Sequence, residues 1–270
     1  MENSRMMTRR TFCTLPLAAA ATTAFAAPSP MHLIAHRGGI VDQGRPENSP
    51  AAIQAAIDQK YWMLEVDIRR TQDGEPILQH DPTFAKYYNE PRRPEQMPWA
   101  DIRKLRATPG NAAPLHFEEA CRICGQAGMR LMLDLKGSWE PAFYQRLLRI
   151  IEAAKIPQPI YSLGGPRVKP LFDGKVMVSV NRRSLREAAD KGENVSRDYF
   201  LFELGSDLKQ ESYDLCRQLK VTPVAAINTF RYTMAKRDEW EGPKEDIAAL
   251  RKLGVAHYQI DSRYSPLLLA

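Results

Sequence analysis

The chain has 270 residues, 44% hydrophobic and 26% charged, with a formal net charge of +6. Such a composition supports a sizeable core and excludes disorder over most of the length. The positive excess favours anionic ligands, but no arginine-rich helix, zinc pattern or RNA-binding aromatic motif accompanies it, so nucleic acid is not an expected partner.

Taken in order, the N-terminus differs in kind from the rest. Thr8-Arg9-Arg10-Thr11-Phe12 precedes an apolar run from Leu15 that closes on Ala24-Phe25-Ala26. A basic segment, a short apolar one and a small-x-small end form a secretory signal pattern, and the paired arginines resemble a twin-arginine signal. The expectation is a cleavable leader over 1–26, a single domain over 27–270, and a periplasmic or secreted protein. Loss of Arg5, Arg9 and Arg10 together with Glu2 takes the formal charge from +6 to +4. No stretch reaches the ~18 to 20 apolar residues that span a bilayer.

Beyond the leader, short apolar runs alternate with helical patterns. Strands are expected at 33–35, 63–68, 76–78, 131–133, 160–163, 176–180, 199–204, 221–227 and 258–260. Helices are expected at 51–59, 117–127, 142–154, 184–191, 208–219 and 245–253. This alternation argues for a parallel sheet with helical crossovers, and the length suits a single (βα)8 TIM-type barrel. Nine candidate strands exceed eight staves, so one irregularity is expected, placed in the C-terminal half. Residues 84–98 read as a long loop of the kind that often carries function. Cys121 and Cys124 fall within a helical pattern, as does Cys216, and are read as core packing rather than a redox motif.

Chemistry-bearing residues concentrate at the ends of the early strands. His36-Arg37-Gly38-Gly39 closes the first strand with a titratable group, a fixed cation and glycines that permit a tight turn. In Pro46-Glu47-Asn48-Ser49-Pro50, Asn48 or Ser49 can cap the next helix, whose first position suits Pro50. Glu47 is left as an acid in a loop beside the site. Glu65 and Asp67 lie two apart in an apolar strand and therefore share a face. Two carboxylates there repel each other and resist desolvation unless something positive neutralises them, either a divalent cation or a neighbouring Arg or Lys. His80-Asp81 closes another apolar run, and Asp134 and Lys136 again stand two apart.

If these groups converge, Glu65, Asp67 and Asp134 supply three negative charges. A divalent cation supplies two positive charges, and Arg37 and Lys136 supply two more. The balance is +1, which suits a phosphate diester. Oxygen-only ligation favours Mg²⁺ or Ca²⁺.

Taken together, His36-Arg37-Gly38, Pro46-Glu47-Asn48-Ser49, Glu65-x-Asp67, Thr71-x-Asp73-Gly74 and His80-Asp81 resemble the glycerophosphodiester phosphodiesterase family, part of the phosphatidylinositol phospholipase C-like barrel superfamily. The order and spacing match over roughly 33–137. The resemblance implies a barrel enzyme that hydrolyses small glycerophosphodiesters to an alcohol and glycerol 3-phosphate. Glu65, Asp67 and Asp134 would be metal ligands, with Glu47 near the metal. His36 and His80 would be general acid and base, in either order, and Arg37 would contact the phosphate with Lys136 beside it. The chain departs from the pattern at Asp134, where Glu is usual. The arginine and threonine that commonly follow the His-Asp pair are absent from 84–90, and Ala226-Ile227-Asn228-Thr229-Phe230 replaces a tryptophan-containing strand. A related phospholipase or sphingomyelinase D-type lyase on the same barrel is the alternative. Such an enzyme would make transient contact with a membrane surface, for which Tyr87, Tyr88 and Trp99 would have to be exposed. A non-catalytic binder on a degenerate barrel is disfavoured by intact His36, His80, Glu65 and Asp67.

Overall fold

Alternate residues of each strand are sorted to two cores. Ile34, Met63, Met132, Tyr161, Phe200 and Val224 pack together in one buried cluster. Their neighbours in sequence, such as Leu33, Leu64, Leu131 and Leu133, join a larger cluster with apolar helix faces. Side chains along a strand point alternately to its two faces. Burial on both faces is why these strands read as near-continuous apolar runs rather than alternating ones. The smaller cluster is the inside of a barrel, where the Tyr161 and Phe200 rings stack 4.1 Å apart, and the larger is the layer beneath the helices.

The computed structural model describes residues 30–108 and 110–269. The leader expected over 1–26 lies outside the described residues. The strands are β1 (His32–Ala35), β2 (Met63–Arg70), β3 (Pro76–Leu78), β4 (Leu115–His116), β5 (Arg130–Leu135), β6 (Tyr161–Ser162), β7 (Met177–Val180), β8 (Tyr199–Leu204), β9 (Pro223–Ile227) and β10 (His257–Ile260). Their order is β1-β10-β9-β8-β7-β6-β5-β2, every neighbouring pair is parallel, and β1 pairs back onto β2. Eight parallel strands thus close into a barrel with helices between them, as the alternation predicts. No helix among the described residues is long and apolar enough to cross a membrane.

The irregularity lies elsewhere than expected. The C-terminal strands are regular staves, and the surplus strand is β3, which runs antiparallel to the far end of β2 with Ile68 opposite Leu78. A short strand that the sequence pattern does not announce, β4, pairs antiparallel with β3. The physical cause is the eight-residue length of β2, which outruns its parallel partners and offers an edge to the returning chain. Nor is 84–98 a plain loop. It holds the short helices Ala85–Tyr88 and Pro94–Gln96, and Phe84 and Met97 join Ile77 and Ile102 in a small core of their own. The helix borders fall within a few residues of expectation. Ser49 is the N-cap of Pro50–Asp58, accepting from the Ala52 N–H at 3.2 Å. Cys121, Cys124 and Cys216 are free and buried, and burial pushes the Cys124 thiol up to about 12.

Candidate active site

The turn after β1 builds the first wall. Gly39 is required by close approach, since a Cβ there would lie 2.1 Å from the Ala52 carbonyl oxygen. Arg37 itself adopts a left-handed conformation, φ 56°, which costs a non-glycine residue of order 1 to 3 kcal/mol. Two bonds hold it there. The Arg37 N–H donates to Glu65 Oε2 at 2.7 Å, and its carbonyl accepts from the Asn48 N–H at 2.8 Å. The same turn sends the guanidinium toward Glu47, whose Oε2 accepts from Arg37 Nη1 at 2.9 Å and Lys86 Nζ at 2.8 Å.

The β-strand period places Glu65, Asp67, Asp134 and Lys136 on the inner face, with Asp67 opposite Asp134 in register. Oxygens of Glu65, Asp67 and Asp134 lie within 4.8 Å of one another. Glu65 and Asp67 are wholly buried, whereas Asp134 is half-buried. Burial, then the charges of Asp67 and Asp134, push the Glu65 carboxyl well above the usual carboxylate range. Burial opposes ionisation of Asp67 as well, but the Lys136 and His80 charges and the Asn48 amide outweigh it and hold that carboxyl low. Lys136 Nζ spans Asp67 at 2.8 Å and Asp134 at 2.5 Å. Asn48 donates from Nδ2 to Asp67 Oδ2 at 2.8 Å, so Asn48 orients a carboxylate while Ser49 caps the helix.

This donor set fits a divalent cation. Two oxygens sharing one ion at about 2.0 to 2.6 Å stand at most roughly 5 Å apart, and the cluster falls inside that limit. Glu65 Oε1 is also buried without a hydrogen-bond partner, which is costly for a carboxylate unless a cation faces it. Glu47 is not part of this trio. Its carboxylate groups instead with His80 and Asp81.

Both sequence-predicted histidines stand at this end of the barrel, each on an aspartate. His36 Nδ1 bonds Asp261 Oδ1 at 2.5 Å, which leaves Nε2 toward Glu65 at 3.9 Å. His80 Nδ1 bonds Asp81 Oδ1 at 2.8 Å. A carboxylate on Nδ1 fixes the tautomer and frees Nε2 for proton transfer. Burial disfavours an ionised Asp261, but the His36 ring and the Thr229 N–H, 2.7 Å away, outweigh it and hold the carboxyl at about 2. Arg69 ties the two halves together, donating to the His80 carbonyl at 2.9 Å and the Lys136 carbonyl at 3.2 Å.

Asp261 is a site residue that sequence reasoning misses, although its signal is present. It stands two residues beyond Gln259, at the end of the last strand, as Asp134 does beyond Met132. Lys86 and Tyr87 are missed as site residues because they sit on the insertion, whose return to the barrel no local pattern announces. Beside the carboxylates opens a cavity of about 440 Å³, with His36 and Arg37 on its floor and Tyr87, Phe230 and Arg263 among its walls. Phe230 stands where the sequence departs from the usual tryptophan, its ring stacked 6.5 Å from that of His36. Tyr88 and Trp99 are half-buried and pack against Phe84 and His116.

Residues 36–139 match the family described as the glycerophosphoryl diester phosphodiesterase family. A human protein named glycerophosphodiester phosphodiesterase 1 is 33% identical over 112 residues, covering 38% of this chain and 33% of that protein. The match thus spans about a third of the length of the curated relative. Among solved structures, a glycerophosphoryl diester phosphodiesterase from Parabacteroides distasonis superposes with a TM-score of 0.68 at 20% identity, over 87% of this chain and 85% of that one. A phosphodiesterase from Oleispira antarctica, solved with the product sn-glycerol-3-phosphate, gives 0.69 at 18% identity, over 88% and 97%. At such identities these structures speak for the barrel alone. The matched segment carries every predicted site residue, and over it the chain is similar to the glycerophosphodiester phosphodiesterase family.

Proposed function

We propose that this chain hydrolyses glycerophosphodiesters, releasing an alcohol and glycerol 3-phosphate. The observation that carries the reading is the meeting, at one end of the barrel, of two aspartate-bound histidines, an arginine and a trio of inner-face carboxylates. The Oleispira structure, with glycerol 3-phosphate as its product, supports the choice of substrate class. Glu65, Asp67 and Asp134 would hold the divalent cation, and oxygen-only ligation favours Mg²⁺ or Ca²⁺. Such an ion, when bound, polarises phosphoryl oxygens. Arg37 supplies fixed positive charge for the equatorial oxygens, with Lys136 beside it. One histidine takes a proton from the nucleophile through its free Nε2, and the other gives one to the departing alkoxide, each step contributing roughly 10² to 10⁴ in rate. The nucleophile is either water or the substrate's glycerol 2-hydroxyl, the latter on the way to a cyclic phosphate that water then opens. Asp261 and Asp81 keep the rings in the tautomer that this exchange needs. Export through the 1–26 leader belongs to the same reading, and N-terminal sequencing of secreted protein would locate the cleavage. The test of the activity is a panel of glycerophosphodiesters and intact phospholipids, with and without chelator. Glycerol 3-phosphate should appear from the former only when the ion is supplied. Release of a phosphorylated headgroup from intact lipid would overturn the assignment in favour of a phospholipase.

A further inference from the structure

The walls of the cavity beside His36 carry an unusual arrangement of charge. Three of its lining residues are cations, Arg37, Lys86 and Arg263. Its two carboxylates are both engaged. Glu47 accepts from Arg37, Lys86 and Tyr87, and Asp261 accepts from His36 and the Thr229 N–H. With His36 neutral the lining therefore carries one net positive charge, and it offers no free carboxylate to an incoming ammonium.

The aromatic faces are engaged as well. Lys86 Nζ lies 4.7 Å over the Tyr87 ring, and the Arg231 guanidinium 4.5 Å over Phe230. Arg263 lies 4.6 Å over Trp240, a ring outside the lining that holds its guanidinium at the edge of the cavity. Recognition of a quaternary ammonium relies on aromatic faces open to it at about this distance. Here Tyr87 and Phe230, the two carbocyclic rings that line the cavity, each already bear a cation of the protein. An ammonium entering would have to displace one of these side chains or sit beside it, and both routes are unfavourable. Glu239, 3.4 Å from Arg263, brings one negative charge to the edge of the mouth and Arg231 over Phe230 brings one positive, so the balance stays at one net positive charge.

We infer that the mouth sets headgroup choice by charge: it rejects diesters whose second arm ends in an ammonium and favours neutral or anionic arms, with Lys86 and Arg263 as the specificity-determining residues. The inference rests on the hydrolytic reading above and adds the class of substrate to it. No redox step or further reactant is involved, since the bond cleaved is the same P–O ester.

The experiment measures kcat/KM on diesters of glycerol 3-phosphate whose second arm is choline, glycerol or glycerol phosphate, at low and high salt. The glycerol phosphate arm should exceed choline by at least about tenfold at low salt, as like-charge contacts in a partly buried site demand. Added salt should narrow the gap. Arg263→Glu reverses one charge of the wall and should lower the ratio of anionic to cationic substrate by a further tenfold or so, whatever happens to the absolute rates. Using a ratio guards against a variant that is merely less stable. Choline turned over as well as or better than the anionic arm would overturn the inference while leaving the hydrolytic reading intact. So would a ratio that Arg263→Glu does not move. Failure to cleave any of the three diesters with the ion supplied would sink the hydrolytic reading and this inference with it.

Discussion

The end of the barrel remote from the site should make the fold sensitive to mild acid. His257 opens β10 and lies in register with His32 of β1, their rings 4.5 Å apart, and Trp62 stands 5.0 Å from both. The Arg130 guanidinium lies 5.2 Å over the Trp62 ring, so the cluster is aromatic and cationic. Burial, and then the neighbouring His32, push the His257 imidazole down to about 4 from its ordinary 6.5. A group whose folded form resists protonation in this way stabilises the fold fully above 6.5. That stability drains as pH falls, because the unfolded chain takes up the proton first, and the loss is complete once pH passes below 4. The one and a half pH units from 6.5 down to 5 amount to about 2 kcal/mol, at roughly 1.36 kcal/mol per unit. For a domain of this size that is about 4 to 8 °C in melting temperature. His32 is shifted the same way, by burial first and Arg130 second, and adds to the trend. The assay is thermal unfolding of the wild type and His257→Gln at pH 7, 6 and 5. The variant should lose most of the pH dependence while keeping activity, since it stands at the opposite end of the barrel from His36. Melting temperatures that fall in parallel for the two proteins would refute the argument.

The site itself sets three further outcomes. His36→Ala and His80→Ala should each lower kcat by at least about 10²-fold with the fold intact, and a p-nitrophenolate leaving group should partly rescue whichever histidine is the acid. Asp261→Asn should act through His36: kcat falls and the pH profile of kcat/KM changes shape, while metal affinity stays put, and an unchanged profile would reduce Asp261 to a structural tie. Asp134→Ala should raise the metal concentration for half-maximal activity by roughly 10- to 100-fold or more, the scale known for lost support around an ion. Asp134→Glu should be tolerated. Loss of stability in Asp134→Ala with unchanged metal affinity would show that Asp134 serves only as the partner of Lys136.

Much of this site is legible in the sequence because its residues violate the pattern around them. Glu65 and Asp67 interrupt an apolar strand buried on both faces, where charge is hard to keep without a counter-charge, and the period of two assigns them to one side. His36, His80, Asp134 and Lys136 stand out in the same way, as polar residues closing apolar runs. Asp261 obeys the same rule yet is easily passed over, because its strand speaks first for topology and only then for chemistry. Tyr87 is reached only as an exposed aromatic, Phe230 only within a departing strand and Lys86 only as part of the 84–98 loop, none of them as a wall of the cavity. They are ordinary residues at their own positions, and only the closure of β1 onto β10 and the folding of the insertion bring them to the mouth. The exact number of staves is legible only to within one, since a three-residue apolar run looks alike whether it joins the barrel or leans on its edge.

That ambiguous strand turns out to matter for the chemistry. In a plain strand-helix-strand repeat, the chain leaving β2 would descend the outside of the barrel, and the residues after Asp67 would be carried away from it. Instead the turn at Thr71–Gly74 reverses the chain, β3 runs back along β2, and the Gln79 N–H donates to the Asp67 carbonyl at 2.9 Å. The next residue is His80. The reversal therefore delivers the second histidine to the carboxylates already held on β2, and Arg69 fixes it by binding the carbonyls of His80 and Lys136 together. β4 then covers the outer edge of β3, and the small core of Ile77, Phe84, Met97 and Ile102 anchors the insertion to it. The insertion also carries Lys86 to Glu47, so the same excursion supplies the second histidine and one wall of the cavity. An extra strand that a barrel does not need for closure is what this site needs to be complete.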